Sequence, residues 1–233
     1  MSTTGIDLPH SHEGGHGAEH DHDPHQQHHF ATMEQQADTS KIGMWLFLAT
    51  EVLLFGGLFV GFGLMQQRYP REFLEAHEHL KRWQGALNTV VLLISSFTMV
   101  MAVDSAKKNK QKPTERYLFA TIVCALIFLG VKYFEYSHKF EEGWLPGYYY
   151  HAIGDETPGS HGYPTFFSFY FMMTGLHGIH ILGGIGALSW ILKRTRRGEF
   201  SSAYYTPVDL VGLYWHLVDL IWIYLFPLYY LIQ

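Results

Sequence analysis

The sequence predicts an all-α membrane protein, a polytopic bundle of about five transmembrane helices preceded by a disordered, His-rich tail. Three observations lead there. The chain has 233 residues, 48% of them hydrophobic, with a formal net charge of −5. Its mean hydropathy of −0.01 averages over a sharp split. Residues 1–40 are almost wholly polar and hold eight of the 16 histidines. From Lys41 onward, long apolar runs alternate with short charged loops, as in a chain that crosses a bilayer repeatedly. A soluble chain of this length would make one or two domains. Here hydrocarbon replaces most of the buried core, so residues 41–233 read as one membrane domain.

Taken in order, residues 1–40 include PHSHEGGHGAEHDHDPHQQHH, which lacks apolar periodicity and reads as disordered. No secretory signal is visible at the start, and the first hydrophobic run, near Ile42, reads as a retained span. The spans are expected near 42–65, 86–103, 117–134, 165–192 and 208–231. Each has about 18–28 residues, enough to cross a core of roughly 30 Å with some tilt. For the fifth span, Thr206 can cap and Pro207 suits the first helical position. Between the third and fourth spans, EEGWLPGYYYHAIGDETPGSHGYP has the Gly, Pro and aromatics of an interfacial loop. The lone cysteine, Cys124, lies inside an apolar run and allows no intrachain disulfide.

Basic residues set the expected orientation. Lys107, Lys108, Lys110, Lys112 and Arg116 follow the second span, and Lys193, Arg194, Arg196 and Arg197 follow the fourth. The loop after the third span has only Lys139 against four acidic residues. The N-terminal tail is therefore expected in the cytoplasm and the C-terminus outside. Arg68, Arg71, Lys81 and Arg82, after the first span, argue the other way.

Ionisable groups at bilayer depth cost several kcal/mol unless neutral, paired or wet. Five stand out: Glu51 in the first span, His177 and His180 in the fourth, His216 and Asp219 in the fifth. At about 1.5 Å per residue, Glu51, His216, Asp219 and His180 fall roughly 12–18 Å from the same surface. His177/His180 and His216/Asp219 are i, i+3 pairs, each sharing a helical face. The plainest reading is that these groups hydrogen-bond to one another and pin helices together. A proton relay is the functional alternative. Haem ligation is disfavoured, because two axial histidines belong on facing helices. Gly57/Gly61 and Gly183/Ala187 are small-residue pairs that permit close helix approach. Lys132 and Glu135 read as a snorkelling interfacial pair, with a lipid head-group contact as the alternative. In the tail, His20, His22 and His25 could hold copper or zinc loosely, but irregular spacing favours a solvated tail.

Four segments resemble one family in the right order: KIGMWLFLATEVLLFGGLF, LGVKYFEYSHK, FFSFYFMMTGLHGIHILGG and GLYWHLVDLIWIYLFPLYYL. They are similar to subunit III of the haem–copper respiratory oxidases, the cytochrome c oxidase type in particular. The resemblance runs from Lys41 to the end. It implies a non-catalytic bacterial inner-membrane subunit with no cofactor of its own, haem and copper residing in partner subunits. It further implies packing on subunit I, association with subunit II and other respiratory-complex subunits, bound phospholipid, support of proton uptake, and no nucleic-acid partner. The family's carbodiimide-reactive carboxylate corresponds to Glu51. Long members have two further helices before the matching part, which a C-terminal extension of subunit I is expected to supply here. Subunit III of a quinol oxidase and the accessory subunit of nitric oxide reductase share the five-helix body. A stand-alone proton or ion carrier is the rival from another class, though no inverted repeat is visible.

Overall fold

The computed structural model describes residues 30, 32–145, 162–202 and 204–231. Within them the chain is all helical, with six helices: α1 (Met33–Arg68), α2 (Pro70–Glu78), α3 (Arg82–Lys107), α4 (Gln111–Glu141), α5 (Gly162–Arg196) and α6 (Thr206–Tyr230). Five of these, all but α2, are long and apolar enough to span a bilayer, which is the number expected from hydropathy.

Three expectations need correction. The stretch 33–40, read as disordered tail, is the first part of α1. Its sequence MEQQADTS is rich in helix formers, and the Thr32 hydroxyl caps it by accepting from the Gln35 N–H at 3.1 Å. Residues 1–29 of that tail, with His20, His22 and His25, lie outside the described residues, as does most of the loop between α4 and α5. Secondly, α2 was not foreseen. PREFLEAHE is too short and polar to register as a span. Yet it buries Phe73, Ala76 and His77 at i, i+3, i+4 spacing, with a proline opening the first turn. Thirdly, Thr206 is not the cap of α6. Tyr205 holds that position without a side-chain bond, and Pro207 falls in the first turn.

Helices α3 and α4 form an antiparallel hairpin. Its turn is closed by Lys110 N–H to Ser105 O at 2.9 Å, with Asn109 at φ 57°. Asparagine tolerates that left-handed backbone. The hairpin and α5 and α6 close a four-helix ring, α4 packing on α5 and α6 on both α3 and α5. Helix α1 lies along α5 and α6 from outside, and α2 covers the start of α5. Consequently α1 is the least buried span and α6 the most. Phe62, Phe73, Phe166 and Tyr229, all fully buried, lock α1, α2, α5 and α6 together with ring centroids 5.0–6.0 Å apart.

The small-residue pairs are used only in part. Gly61 meets Phe169, whereas Gly57 and Gly56 face open space. On α5 the close approach is at Gly184, under the Trp215 ring, rather than at Gly183, which only nears the Tyr214 hydroxyl. A motif of small residues four apart counts small residues, but the partner's ring decides which one is needed.

Candidate functional site

Three polar groupings sit within the helices. In the first, Glu51 of α1 meets His180 of α5, Oε2 to Nε2 at 2.9 Å, each side chain 14% exposed. His180 Nδ1 lies 2.8 Å from the Leu176 carbonyl. A carbonyl only accepts, so Nδ1 carries a hydrogen. The contact to Glu51 must then contain one further proton, on the carboxyl or on Nε2. Either arrangement is neutral overall, which is what the depth requires. Tyr214 donates to the His180 carbonyl at 2.8 Å, and Phe55 stands edge-on to the ring at 5.4 Å.

The other members of the expected slab do not join this pair. His216 turns to α3, its Nδ1 2.8 Å from Ser96 Oγ. Asp219 is buried, 4% exposed. His177 is fully buried between the rings of Phe128 and Trp222, both at 5.4 Å. Neither the His177 nitrogens nor the Asp219 oxygens have a hydrogen-bond partner among the described residues, and the same is true of the Asn88 amide. Mutual hydrogen bonding thus holds for Glu51 and His180 alone. The i, i+3 spacing puts two side chains on one face, but about 60° apart on a helix of 3.6 residues per turn. That angle is enough to aim them at different neighbours.

The second grouping corrects the snorkelling reading of Lys132 and Glu135. Both are buried, 7% and 3% exposed, and they point into the bundle. Lys132 Nζ donates to Glu135 Oε2 at 3.1 Å, Tyr170 Oη at 3.2 Å and Tyr230 Oη at 3.1 Å. Both tyrosines donate in turn to Glu135 Oε1, at 2.7 and 2.5 Å. Every ammonium hydrogen therefore has an acceptor. The rings of Trp222 and Tyr170 flank the charge with centroids at 5.0 Å. Sequence reading missed Tyr170, Tyr230 and Trp222. The available signal was phenol and indole groups at bilayer depth, which need polar partners just as the charges do.

The third grouping is a groove of about 760 Å³ between the start of α1, the end of α5 and the start of α6. Met44, Leu210 and Val211 make its apolar side, and Lys41, Glu34, Asp209 and Arg194 its charged rim. Arg194 donates through Nε to Glu199 at 2.6 Å and packs its guanidinium over Trp190 and Phe200. Among the described residues, no three of His, Cys, Asp and Glu converge on a common point.

Comparison with known proteins agrees with this architecture. Residues 23–232 match the family model described as cytochrome c oxidase subunit III. A protein of Nocardia farcinica described as probable cytochrome c oxidase subunit 3 is 30% identical over 192 residues, covering 82% of this chain and 87% of its own. Cytochrome c oxidase subunit 3 of Thermostichus vulcanus is 30% identical over 204 residues, 85% and 90% of the two chains. A probable quinol oxidase subunit 3 of Staphylococcus haemolyticus is 28% identical over 197 residues, 84% and 90% of the two chains. The match takes in all five spans and every polar grouping described above, and the chain belongs to the cytochrome c oxidase subunit III family.

Proposed function

We propose that this chain is the non-catalytic subunit III of a proton-pumping terminal oxidase in a bacterial inner membrane. It packs on subunit I, beside subunit II. The family match across residues 23–232 is the observation that carries this reading. Haem and copper belong to the partner subunits. In this chain the ionisable groups are committed to pairs or lie apart, so none is assigned a step in oxygen reduction. Cytochrome c is the proposed electron source, and a quinol the second reading, since relatives of both descriptions match at similar identity.

The start of α1, the α3–α4 turn, the end of α5 and the start of α6 share one end. Gln111 Nε2 donates to the Thr195 carbonyl at 2.6 Å, and Lys107 pairs with Asp209 at 3.7 Å. The basic loops cluster at that end, which we assign to the cytoplasm. The open outer face of α1, with Leu46, Leu53, Gly57 and Val60 uncovered, is where we place two helices from another chain, a C-terminal extension of subunit I. We assign the Arg194 groove to a phospholipid, because its rim offers both signs of charge over an apolar wall.

Purifying the full chain from its native membrane in mild detergent tests the assignment. It should bring down chains carrying haem and copper that consume oxygen with reduced cytochrome c. Chain freed of those partners should show neither visible absorbance nor oxygen consumption. Either activity in the isolated chain would sink the reading.

Glu51→Gln should leave assembly and initial turnover largely intact. A glutamine amide donates to His180 Nε2 in place of the proton shared with Glu51, so the change is under about 1 kcal/mol. Glu51→Leu leaves Nε2 without a partner at about 1–3 kcal/mol, read as less subunit III per haem after detergent washing. Equal retention of the two variants would show that the pair is dispensable.

A further inference from the structure

On the other side of α5 from α1, the start of α4 and the end of α5 enclose a groove of about 440 Å³. Lys112, Glu115, Arg116, Phe119 and Arg196 line it, three cations against one carboxylate. Arg196 donates to Glu115 through Nε at 2.7 Å, which leaves its terminal nitrogens available. Lys112 and Arg116 belong to none of the ion pairs among the described residues. Gln111 holds the two helix ends together through the Thr195 and Arg196 carbonyls, at 2.6 and 3.4 Å, so the cations of both helices stand at one groove.

The same faces continue into the membrane. Lys112, Arg116, Phe119, Val123 and Leu126 recur at helical spacing along one side of α4, and the last three are exposed. Opposite them α5 offers Leu182, also exposed, and Gly186, where a Cβ would meet nothing. A cluster of cations thus stands over an apolar trough roughly 10 Å long, from Phe119 to Leu126.

We propose that this groove binds an anionic phospholipid. Its phosphate sits among Lys112, Arg116 and Arg196, and an acyl chain runs along Phe119, Val123 and Leu126. A basic pocket between transmembrane helices suits such head groups. The trough favours a lipid over free phosphate, which has nothing to place there. It also excludes an extended acidic peptide, whose backbone would lie unpaired in hydrocarbon. The excess of two cations distinguishes this site from the Arg194 groove, where Glu34 and Asp209 balance Lys41 and Arg194. The site does not depend on which oxidase the chain serves.

The test uses the full chain in the complex with which it purifies, reconstituted into phosphatidylcholine nanodiscs with a minor fraction of phosphatidylglycerol. Mass spectrometry of the retained lipid should show phosphatidylglycerol enriched over its bulk fraction. Each basic residue removed should lower that enrichment about five-fold, the double change Lys112→Gln/Arg116→Gln most. Arg197→Gln, at a residue paired with Glu199, should change nothing. Excess inorganic phosphate should leave the enrichment in place, because it cannot replace the acyl contacts. A photo-crosslinker at position 119 in the otherwise unaltered chain should capture a phospholipid. Enrichment indifferent to Lys112 and Arg116, displacement by phosphate, or a crosslink to a polypeptide would each overturn the proposal, the last in favour of a partner helix.

Discussion

Glu135→Ala should be among the most damaging single substitutions in this chain, lowering its stability by about 3–5 kcal/mol. The reason lies with the charge left behind. Lys132 is buried and held from three directions, by Glu135 and by the hydroxyls of Tyr170 and Tyr230. Removing the carboxylate strands an ammonium inside the bundle and takes away the acceptor of both tyrosines. Glu135→Gln keeps an acceptor but loses the countercharge, so its loss should be intermediate. Lys132→Met with Glu135→Leu removes both charges while roughly keeping volume, and should recover most of the stability, as apolar replacements of buried pairs do. Each of the two hydroxyls would still lose both its donor, Lys132, and its acceptor, Glu135, which limits the recovery. Thermal unfolding in detergent, run as a double-mutant cycle, gives the coupling directly. A double variant no more stable than Glu135→Ala would mean that the pair specifies helix register rather than merely neutralising itself.

What was legible in the sequence divides along a physical line. The five spans were legible because hydropathy is a sum over some twenty residues, and no tertiary contact can hide it. Helix α2 was invisible to the same sum, being nine residues with an amphipathic face. The first turns of α1 were misread because a His-rich, glycine-rich neighbour set the composition of the whole tail, while the local signal, Thr32 before Met-Glu-Gln-Gln, is a cap. Depth along the membrane normal could be counted from helical rise, which put Glu51 and His180 at similar levels. Rotation about each helix axis could not be counted. It decided that His180 meets Glu51 while His216 turns to Ser96 and His177 to the Trp222 ring. For Lys132 and Glu135 the depth estimate itself misled. Their place near a helix end suggested water, but the tyrosines of α5 and α6 close over them.

Gly184→Ala should separate α5 from α6, at a loss of about 1–3 kcal/mol from overpacking alone. A Cβ at this position would lie 2.5 Å from Trp215 Cζ3 and 2.8 Å from Cε3. The indole cannot yield by a rotamer change, because it is fully buried and its Nε1–H is tied to Ser95 Oγ at 2.9 Å. Either the helices part or the ring turns and gives up that bond, for about a further 1 kcal/mol. Gly178 on the same helix is the control. A Cβ there meets nothing, so Gly178→Ala should be neutral, or slightly stabilising through helix propensity. Trp215 also reports which response occurs. If the ring turns, its emission shifts while α5 and α6 stay together; if the helices part, unfolding occurs at a lower temperature and the subunit is released more readily on washing. Trp215→Phe combined with Gly184→Ala removes the colliding part of the indole. The double variant should therefore be more stable than the sum of the two single changes predicts. Additive losses would place the cause elsewhere, since two residues in steric conflict cannot respond independently.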